Sequence, residues 1–593
     1  MQAQKRFYTT IGLLFMFGFL LALPACQEMA APQSTLELSF SGSGSGKVRI
    51  TPPDTDFTTG TIQSYPAGTQ VTLTATPDAG STFLSWSGDC SGSGSCILIL
   101  DSNKQVTASF SIQASGALTV YGPGDFNGNT LTVQLPGLQP SDYVALIPVY
   151  AGQDSSGTDP DGIQYAITTQ NVAAASLSRA EDVAPAEPTV PTDVPALQAS
   201  HEFAAHARSA GLKPLNQQKA VTLGFNDNCP GPYQVGVTQC DFWVFTDVST
   251  SPPTQALINA TVQYVSASAV WFIEDGLTGD DVVSASELGA LANTFENTVW
   301  PTVSTTFGDA ADFDGNGKIF IVLSPKVGNA GLFGYVYSAD LYLDSGSPPR
   351  SNEGDIFYAT TPGPPINLYS WPRDAFLNIA LPGTMAHELK HLVATGYRVA
   401  AGFPLEEIWI EEPSAEVAKE LSGFGTAQGQ IQSRASDALA NPEAFRIVYA
   451  TRPGGSEGRA IYGFNFLLMW RAHEKVGASL WKPWVQSSLV GIANFEAATG
   501  QSFADALVDW ALTLLFDDTA RLAGYEYQNL ALRDGSWQTL YYQLLATVSN
   551  RVLRSMAFYV GRGTGADATV TLTVSDPLRM RVAVVRFAGP LPY

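Results

Sequence analysis

Charge is scarce in this sequence: 14% of its 593 residues are Asp, Glu, Lys or Arg, where a soluble domain usually carries about a quarter. Basic charge is the scarcer sign, with 31 Lys and Arg against 54 Asp and Glu and a net charge of −23. No basic face is left to release counterions from phosphate, so nucleic acid is excluded as a partner. Histidine and cysteine are rarer still, five of each. Apolar runs that could span a bilayer, which need about 20 residues, do not occur after Leu23. Against these shortages stand 45% apolar residues, 31 Phe, 22 Tyr and 11 Trp. That is enough for packed cores and excludes an acidic disordered chain. At about 150 residues per domain the length accommodates roughly four domains.

The cysteines fall as two close pairs, Cys90/Cys96 and Cys229/Cys240, with Cys26 left over. Neither pair has CxxC spacing or a clustered His, which excludes a zinc finger or a thioredoxin-like site, and both read as disulfides that staple loops. Lys5 and Arg6 precede an apolar run from Ile11 to Leu23 that suits the core of an export signal. Its end, Leu23-Pro24-Ala25-Cys26, resembles the lipobox of bacterial lipoproteins. The resemblance implies a signal peptide over 1–25, acylation of Cys26 into a lipid bilayer and a tether over 26–34. An ordinary signal peptide cleaved near Ala25 or Ala30 is the competing reading. Either way the protein is expected to be exported, to the cell envelope or extracellular surface.

From 35 to 112, alternating stretches such as Val71-Thr72-Leu73-Thr74-Ala75-Thr76 are separated by turn residues, the pattern of half-buried strands. Gly46-Lys47-Val48, Tyr65 with Gly68-Thr69, Phe83-Leu84-Ser85-Trp86-Ser87-Gly88 and Val106-Thr107-Ala108-Ser109-Phe110 resemble the divergent B-repeat modules of bacterial surface proteins. That implies a spacer or adhesive module. Residues 113–179 predict a second small β module. Pro185, Pro188, Pro191 and Pro195 mark an Ala/Pro-rich linker over 180–200. Strand and helix patterns then alternate over 201–550, one large α+β domain. Strand alternation returns over 551–593 as a closing β element, a candidate packing partner for the module before the linker.

Two of the five histidines fall in Pro382-Gly383-Thr384-Met385-Ala386-His387-Glu388-Leu389-Lys390-His391-Leu392. Pro382-Gly383 breaks the chain and Thr384 can serve as a cap, so a helix is predicted from there. At about 100° per residue, His387 and His391 stand one turn apart, opposite Met385, Leu389, Leu392 and Val393. This is H-E-x-x-H: two imidazoles that reach one Zn²⁺, and Glu388 placed to accept a proton from an attacking water.

Catalytic zinc normally takes three protein ligands. The metzincin continuation is absent, because Ala394 and Tyr397 stand where its Gly and third His belong and no His occurs after His391 until His473. Trp409-Ile410-Glu411-Glu412 before a small-residue helix resembles the W-x-x-E segment of gluzincin metallopeptidases. The resemblance implies Glu412 as third zinc ligand, with Glu411 competing, and Glu416 as the carboxylate that orients a ligating His. An exposed helix carboxylate is the alternative for Glu416. Pro413, where many relatives have Gly, is accommodated in a first helical turn. Phe242-Trp243-Val244, an Asn259–Val262 helix leading to Val270-Trp271-Phe272, the Asp312–Ile319 loop, Gly334-Tyr335-Val336 and Ser351-Asn352-Glu353 complete a resemblance to the hyicolysin family of bacterial extracellular metallopeptidases. It implies a zincin-type domain, a mixed sheet plus a helical subdomain, and a neutral zinc endopeptidase acting on protein or peptide substrates.

Asp312-Phe313-Asp314-Gly315-Asn316-Gly317 places side-chain oxygens like the first half of an EF-hand loop. Asp312, Asp314 and Asn316 are therefore candidate Ca²⁺ ligands, although Leu323 replaces the closing Glu and an Asx-rich turn explains the pattern equally. His201 and His206 are one residue too far apart for the zinc motif, and His473 reads as solvated. Tyr462, at the start of a predicted Gly463–Val476 helix, is a candidate for stabilising an oxyanion. Two rivals to the peptidase remain: a surface adhesin with an inactive peptidase-like domain, and a metal-dependent hydrolase of a non-peptide amide.

Overall fold

The structure is a computed structural model that describes residues 32–42, 45–78, 81–92, 94–112, 117–152, 162–174, 194–218, 229, 231–250, 252–346, 350–363, 371–426, 429–449 and 455–591. The signal-peptide and Cys26 readings, the tether up to residue 31 and linker residues 180–193 lie outside the described residues. Two compact units form, Met1–Gln113 and Ala114–Tyr593.

In the first unit two four-stranded sheets enclose Leu36, Leu38, Val48, Ile50, Val71, Leu73, Trp86, Val106 and Phe110. These are the inward positions of the alternating stretches, as period-2 burial requires. Strand Gln33–Ser41 runs parallel to Lys104–Ile112, which joins the two ends of the module. Cys90 and Cys96 are disulfide-bonded.

The second unit has a β-sandwich, a mixed sheet and a helical region. The sandwich combines strands between Ala117 and Ala174 with strands between Gln543 and Ala588, so segments from either side of the α+β region share its sheets. Strand Asp142–Tyr150 is buried on both faces. Val144, Leu146 and Tyr150 enter the sandwich core, and Tyr143, Ala145, Ile147 and Val149 enter the large core that also holds the helices.

The mixed sheet comprises β1 (Gln239–Asp247), β2 (Thr254–Val265), β3 (Ala269–Glu274), β4 (Ile319–Leu323), β5 (Gly334–Val336) and β6 (Ile356–Ala359), in spatial order β1-β2-β3-β4-β6-β5. β3, β4 and β6 are parallel, and β5 forms an antiparallel edge. The parallel strands are apolar apart from Glu274 at the end of β3, because both faces are covered. The helix expected at Asn259–Val262 is instead part of β2: Ile258, Ala260 and Val262 are buried alternately with outward residues, and Thr, Val and Tyr favour that geometry.

Helix α1 (Val194–Ala210) includes residues assigned to the linker. It is held against the end of β5, where Ser200 Oγ donates to the Val336 carbonyl (3.0 Å) and Ser338 Oγ donates to the Ser200 carbonyl (2.6 Å). The helices that carry the site are α2 (Leu381–Ala401), α3 (Ile408–Leu421), α4 (Gln430–Ala440) and α5 (Gly455–Val476). Pro382-Gly383 does not break the chain. Arg373–Ala375 continues through a wide i→i+5 turn, Phe376–Ala380, into α2, and Thr384 donates to the Ala380 carbonyl from within the helix rather than capping it. Pro382 follows the wide turn, where the regular i→i+4 bonding that its missing N–H would have continued is already interrupted.

The lead-in to α2 is tied down by a two-point ion pair, Arg373 Nε and Nη2 to the two oxygens of Glu287 at 2.8 and 2.9 Å. Glu287 also closes a capping box with Ser284. The Arg373 hydrogen bonds lower the Glu287 pKa from 4.5 to about 2. A depressed carboxylate pKa stabilises the fold above its unfolded value, and that contribution is lost as pH falls through the folded value. Melting curves of the wild type and Glu287→Gln should therefore differ most above pH 4.5 and converge as pH falls towards about 2. A gap that stays constant over that window would refute this role.

Candidate metal centre

Helix α2 is buried on nearly all sides, so its polar residues must find partners inside the protein. It packs against α3, and α3 and α4 pack against α5. His387, Glu388 and His391 come from α2, Glu411, Glu412 and Glu416 from α3, Arg434 from α4 and Tyr462 from α5, and all are buried.

His387 Nε2 and His391 Nε2 are 3.0 Å apart, and Glu412 Oε2 lies 3.2 Å from the first and 3.6 Å from the second. Tetrahedral zinc with bonds of about 2.0–2.1 Å has neighbouring ligand atoms about 3.3 Å apart. The three separations bracket that value. Glu412 has 0% exposure, and neither of its oxygens accepts a hydrogen bond. Two imidazole nitrogens and a carboxylate oxygen converging in this way, with the carboxylate otherwise unsatisfied, fit a bound Zn²⁺.

Each imidazole has its other nitrogen against a carboxylate. His391 Nδ1 lies 2.9 Å from Glu411 Oε1, and His387 Nδ1 lies 3.4 Å from Glu416 Oε1. Such contacts fix the ring direction and leave Nε2 for the ligand position. Glu411 thus supports His391 rather than joining the converging set. The exposed alternative for Glu416 fails, because that residue is buried.

Each carboxylate in turn meets buried cations. Lys390 Nζ is 2.7 Å from Glu411, while Arg434 Nη1 is 2.6 Å and Lys419 Nζ 3.6 Å from Glu416. Burial alone would raise both carboxyl pKa values, but Lys390 and His391 around Glu411, and Lys419, Arg434 and His387 around Glu416, hold them well below the usual range. Burial lowers both lysines.

Edge strand β5 passes close to Glu388. A Cβ on Gly334 would stand 2.8 Å from Thr384 Cγ2 and 2.9 Å from both Glu388 Cγ and the Tyr358 carbonyl, so glycine is required there. Tyr462 is inside α5 rather than at its start, and its ring lies over that of His387 (centroids 6.1 Å apart, 21° between planes).

Pro413 is not in the first turn of α3, which begins at Ile408. It therefore removes the N–H that would bond the Trp409 carbonyl. Asn465 replaces that donor, its Nδ2 reaching the Trp409 carbonyl at 3.2 Å and the Ile447 carbonyl at 2.9 Å.

His473 is half-buried and accepts from Trp481 Nε1 at 3.0 Å, contrary to its solvated reading. His206 is exposed and His201 belongs to α1, so neither joins the converging set. For the calcium reading, carboxylate oxygens of Asp312, Asp314 and Asp355 lie within 4.8 Å of one another. Asn316 Oδ1 accepts from Lys318 N, and its Nδ2 donates to Asp314. Asp355 holds Phe313 N with both oxygens, so hydrogen bonding already accounts for an Asx-rich turn. Asp355 was missed because its distance along the chain carries no spacing signal.

Residues 47–114 match the family model of the divergent InlB B-repeat domain. No curated protein matches the chain. Among solved structures, an M1 zinc metallopeptidase from Deinococcus radiodurans is 9% identical, with 81% of this chain and 93% of that one covered and a TM-score of 0.25. A two-domain M1 zinc metallopeptidase bound to L-arginine is 10% identical, with the same coverage and a TM-score of 0.24. Likeness of that size carries no functional weight, which rests instead on this chain's own residues.

Asn465→Leu removes the amide that donates to the Trp409 and Ile447 carbonyls and should cost about 1–3 kcal/mol in urea unfolding. Pro413→Ala restores an N–H to the Trp409 carbonyl, so the same substitution should cost less in that background. Equal costs in the two backgrounds would show that Asn465 does not compensate for the proline.

Proposed function

We propose that the chain is a zinc-dependent endopeptidase, with His387, His391 and Glu412 as ligands. The observation that supports it most is the convergence of two buried imidazole nitrogens with an oxygen of a carboxylate that accepts no hydrogen bond, one of those imidazoles, His387, being the residue next to Glu388 on α2. A zinc ion held there supplies a Lewis acid that polarises a carbonyl and lowers the pKa of a water molecule. Glu388 takes the proton of the attacking water onto its carboxylate as the O–C bond forms. It returns that proton to the amine nitrogen as the C–N bond breaks. Tyr462, beside His387, is the candidate for a hydrogen bond to the developing oxyanion.

In this reading the protein is exported and anchored through acylated Cys26, and the disulfides Cys90–Cys96 and Cys229–Cys240 fit an oxidising compartment. Among the described residues no helix is long and apolar enough to cross a membrane. The B-repeat match favours a second role, a spacer or adhesive one, for residues 35–112.

The wild type is expected to bind one zinc ion, and a chelator should abolish cleavage of a generic protein substrate. Glu388→Gln should keep the metal while kcat falls by about 10²–10⁴. Retained turnover with zinc bound would refute the role of Glu388. Chelator-insensitive binding to a surface without any cleavage would favour the adhesin, and hydrolysis confined to non-peptide amides in a substrate panel would favour the other rival.

A further inference from the structure

We propose that Arg434 is a positioning residue of the metal centre that holds His387 from two sides, through the Glu416 carboxylate at the ring's edge and through the Tyr462 ring on its face. The inference rests on the zinc reading of His387.

Four side chains from four helices close a circuit. Arg434 Nη1 donates to Glu416 Oε1 at 2.6 Å, and that oxygen lies 3.4 Å from His387 Nδ1. The His387 ring is stacked with Tyr462, and the Arg434 guanidinium carbon is 4.8 Å from the centroid of the same tyrosine ring. Arg434 is only 6% exposed, so its position is set by these partners rather than by water.

Charge neutralisation alone does not explain an arginine here, because Lys419 already stands 3.6 Å from Glu416. A guanidinium can direct N–H donors to a carboxylate from its edge while laying its flat face on an aromatic ring, and a lysine ammonium cannot do both. The backbone is arranged to permit this. Gly463, the residue after Tyr462, faces α4 so closely that a Cβ would stand 2.2 Å from Ala435 N and 2.4 Å from the Arg434 carbonyl carbon. Only glycine lets α5 bring Tyr462 beneath Arg434. His391 is held differently, by Glu411 and by Lys390 of its own helix.

The test is zinc affinity, measured by competition with a chelating dye on the full chain, together with the visible spectrum of the cobalt-substituted protein. Arg434→Met and Glu416→Gln should each weaken zinc binding about ten- to hundredfold. The double variant should lose less than the product of the two single losses, because one residue acts partly through the other. The cobalt band of Arg434→Met should shift.

Unchanged affinity in Arg434→Met, or losses that multiply in the double variant, would overturn the proposal. Should Arg434→Met fail to fold, Arg434→Lys keeps the charge but not the stack. It should then bind zinc more weakly than wild type with an unaltered melting temperature of the metal-free protein, and wild-type affinity in that variant would overturn the proposal. A wild type that binds zinc no better than His387→Ala would instead remove the zinc reading itself.

Discussion

Glu412 has no exposed surface and no hydrogen-bond donor on either oxygen, and the surrounding structure depends on how that group is matched. Leaving a buried charge without its partner costs about 3–5 kcal/mol, a large share of the roughly 5–15 kcal/mol that separates most folded proteins from their unfolded state. The nearby side-chain cations are already directed elsewhere: Lys390 to Glu411, and Arg434 and Lys419 to Glu416. The two Nε2 atoms face Glu412 while their Nδ1 atoms face other carboxylates. A metal cation at the meeting point of the three donors resolves this imbalance, whereas another protein hydrogen bond would have to come from groups that are otherwise engaged.

The local irregularities of the α+β region cluster around the same point. A wide turn precedes α2, a proline interrupts the hydrogen bonding of α3, and glycines at 334 and 463 allow a strand and a helix to approach more closely than a Cβ would permit. Each would weaken an isolated element. At Pro413 a specific neighbour, Asn465, supplies the missing donor. Local rules broken and then repaired at one place are the expected mark of a site whose geometry outranks local propensity.

How much of the site was legible in the sequence depends on the range of each interaction. His387, Glu388 and His391 are related by one helical turn, and Glu412 sits in a short segment of recognisable pattern, so these residues were legible. The strands of the first unit and of the sandwich were legible from period-2 alternation. Residues 254–265 were misread as partly helical, although their outward and inward positions alternate once the sheet is seen. The part of α1 before Ser200 was masked by proline-rich composition. Arg434, Asn465 and Asp355 had no signal at all, because each acts on a residue 18 or more positions away. The division of labour between adjacent Glu411 and Glu412 also needed three dimensions, since a helix points neighbouring residues in different directions.

The sandwich bears on the site through one of its sheets, in which Asp142–Tyr150 is the central strand. Asp142–Tyr150 presents alternate residues to the sandwich core and to the large core that contains Met385, Leu389 and Leu392 of α2. Its two neighbours in the sheet are strands near the C-terminal end, Tyr559–Gly563 and Met580–Ala588, and Arg586 donates to Asp142 across 444 residues of sequence at 3.1 Å. The strand cannot be paired on either side until those late segments are in place. An unpaired strand with two apolar faces cannot be solvated at either face or edge without cost. Completion of the core behind α2 is therefore coupled to closure of the chain around the α+β region, and segments far in sequence from the histidines still contribute to holding their helix.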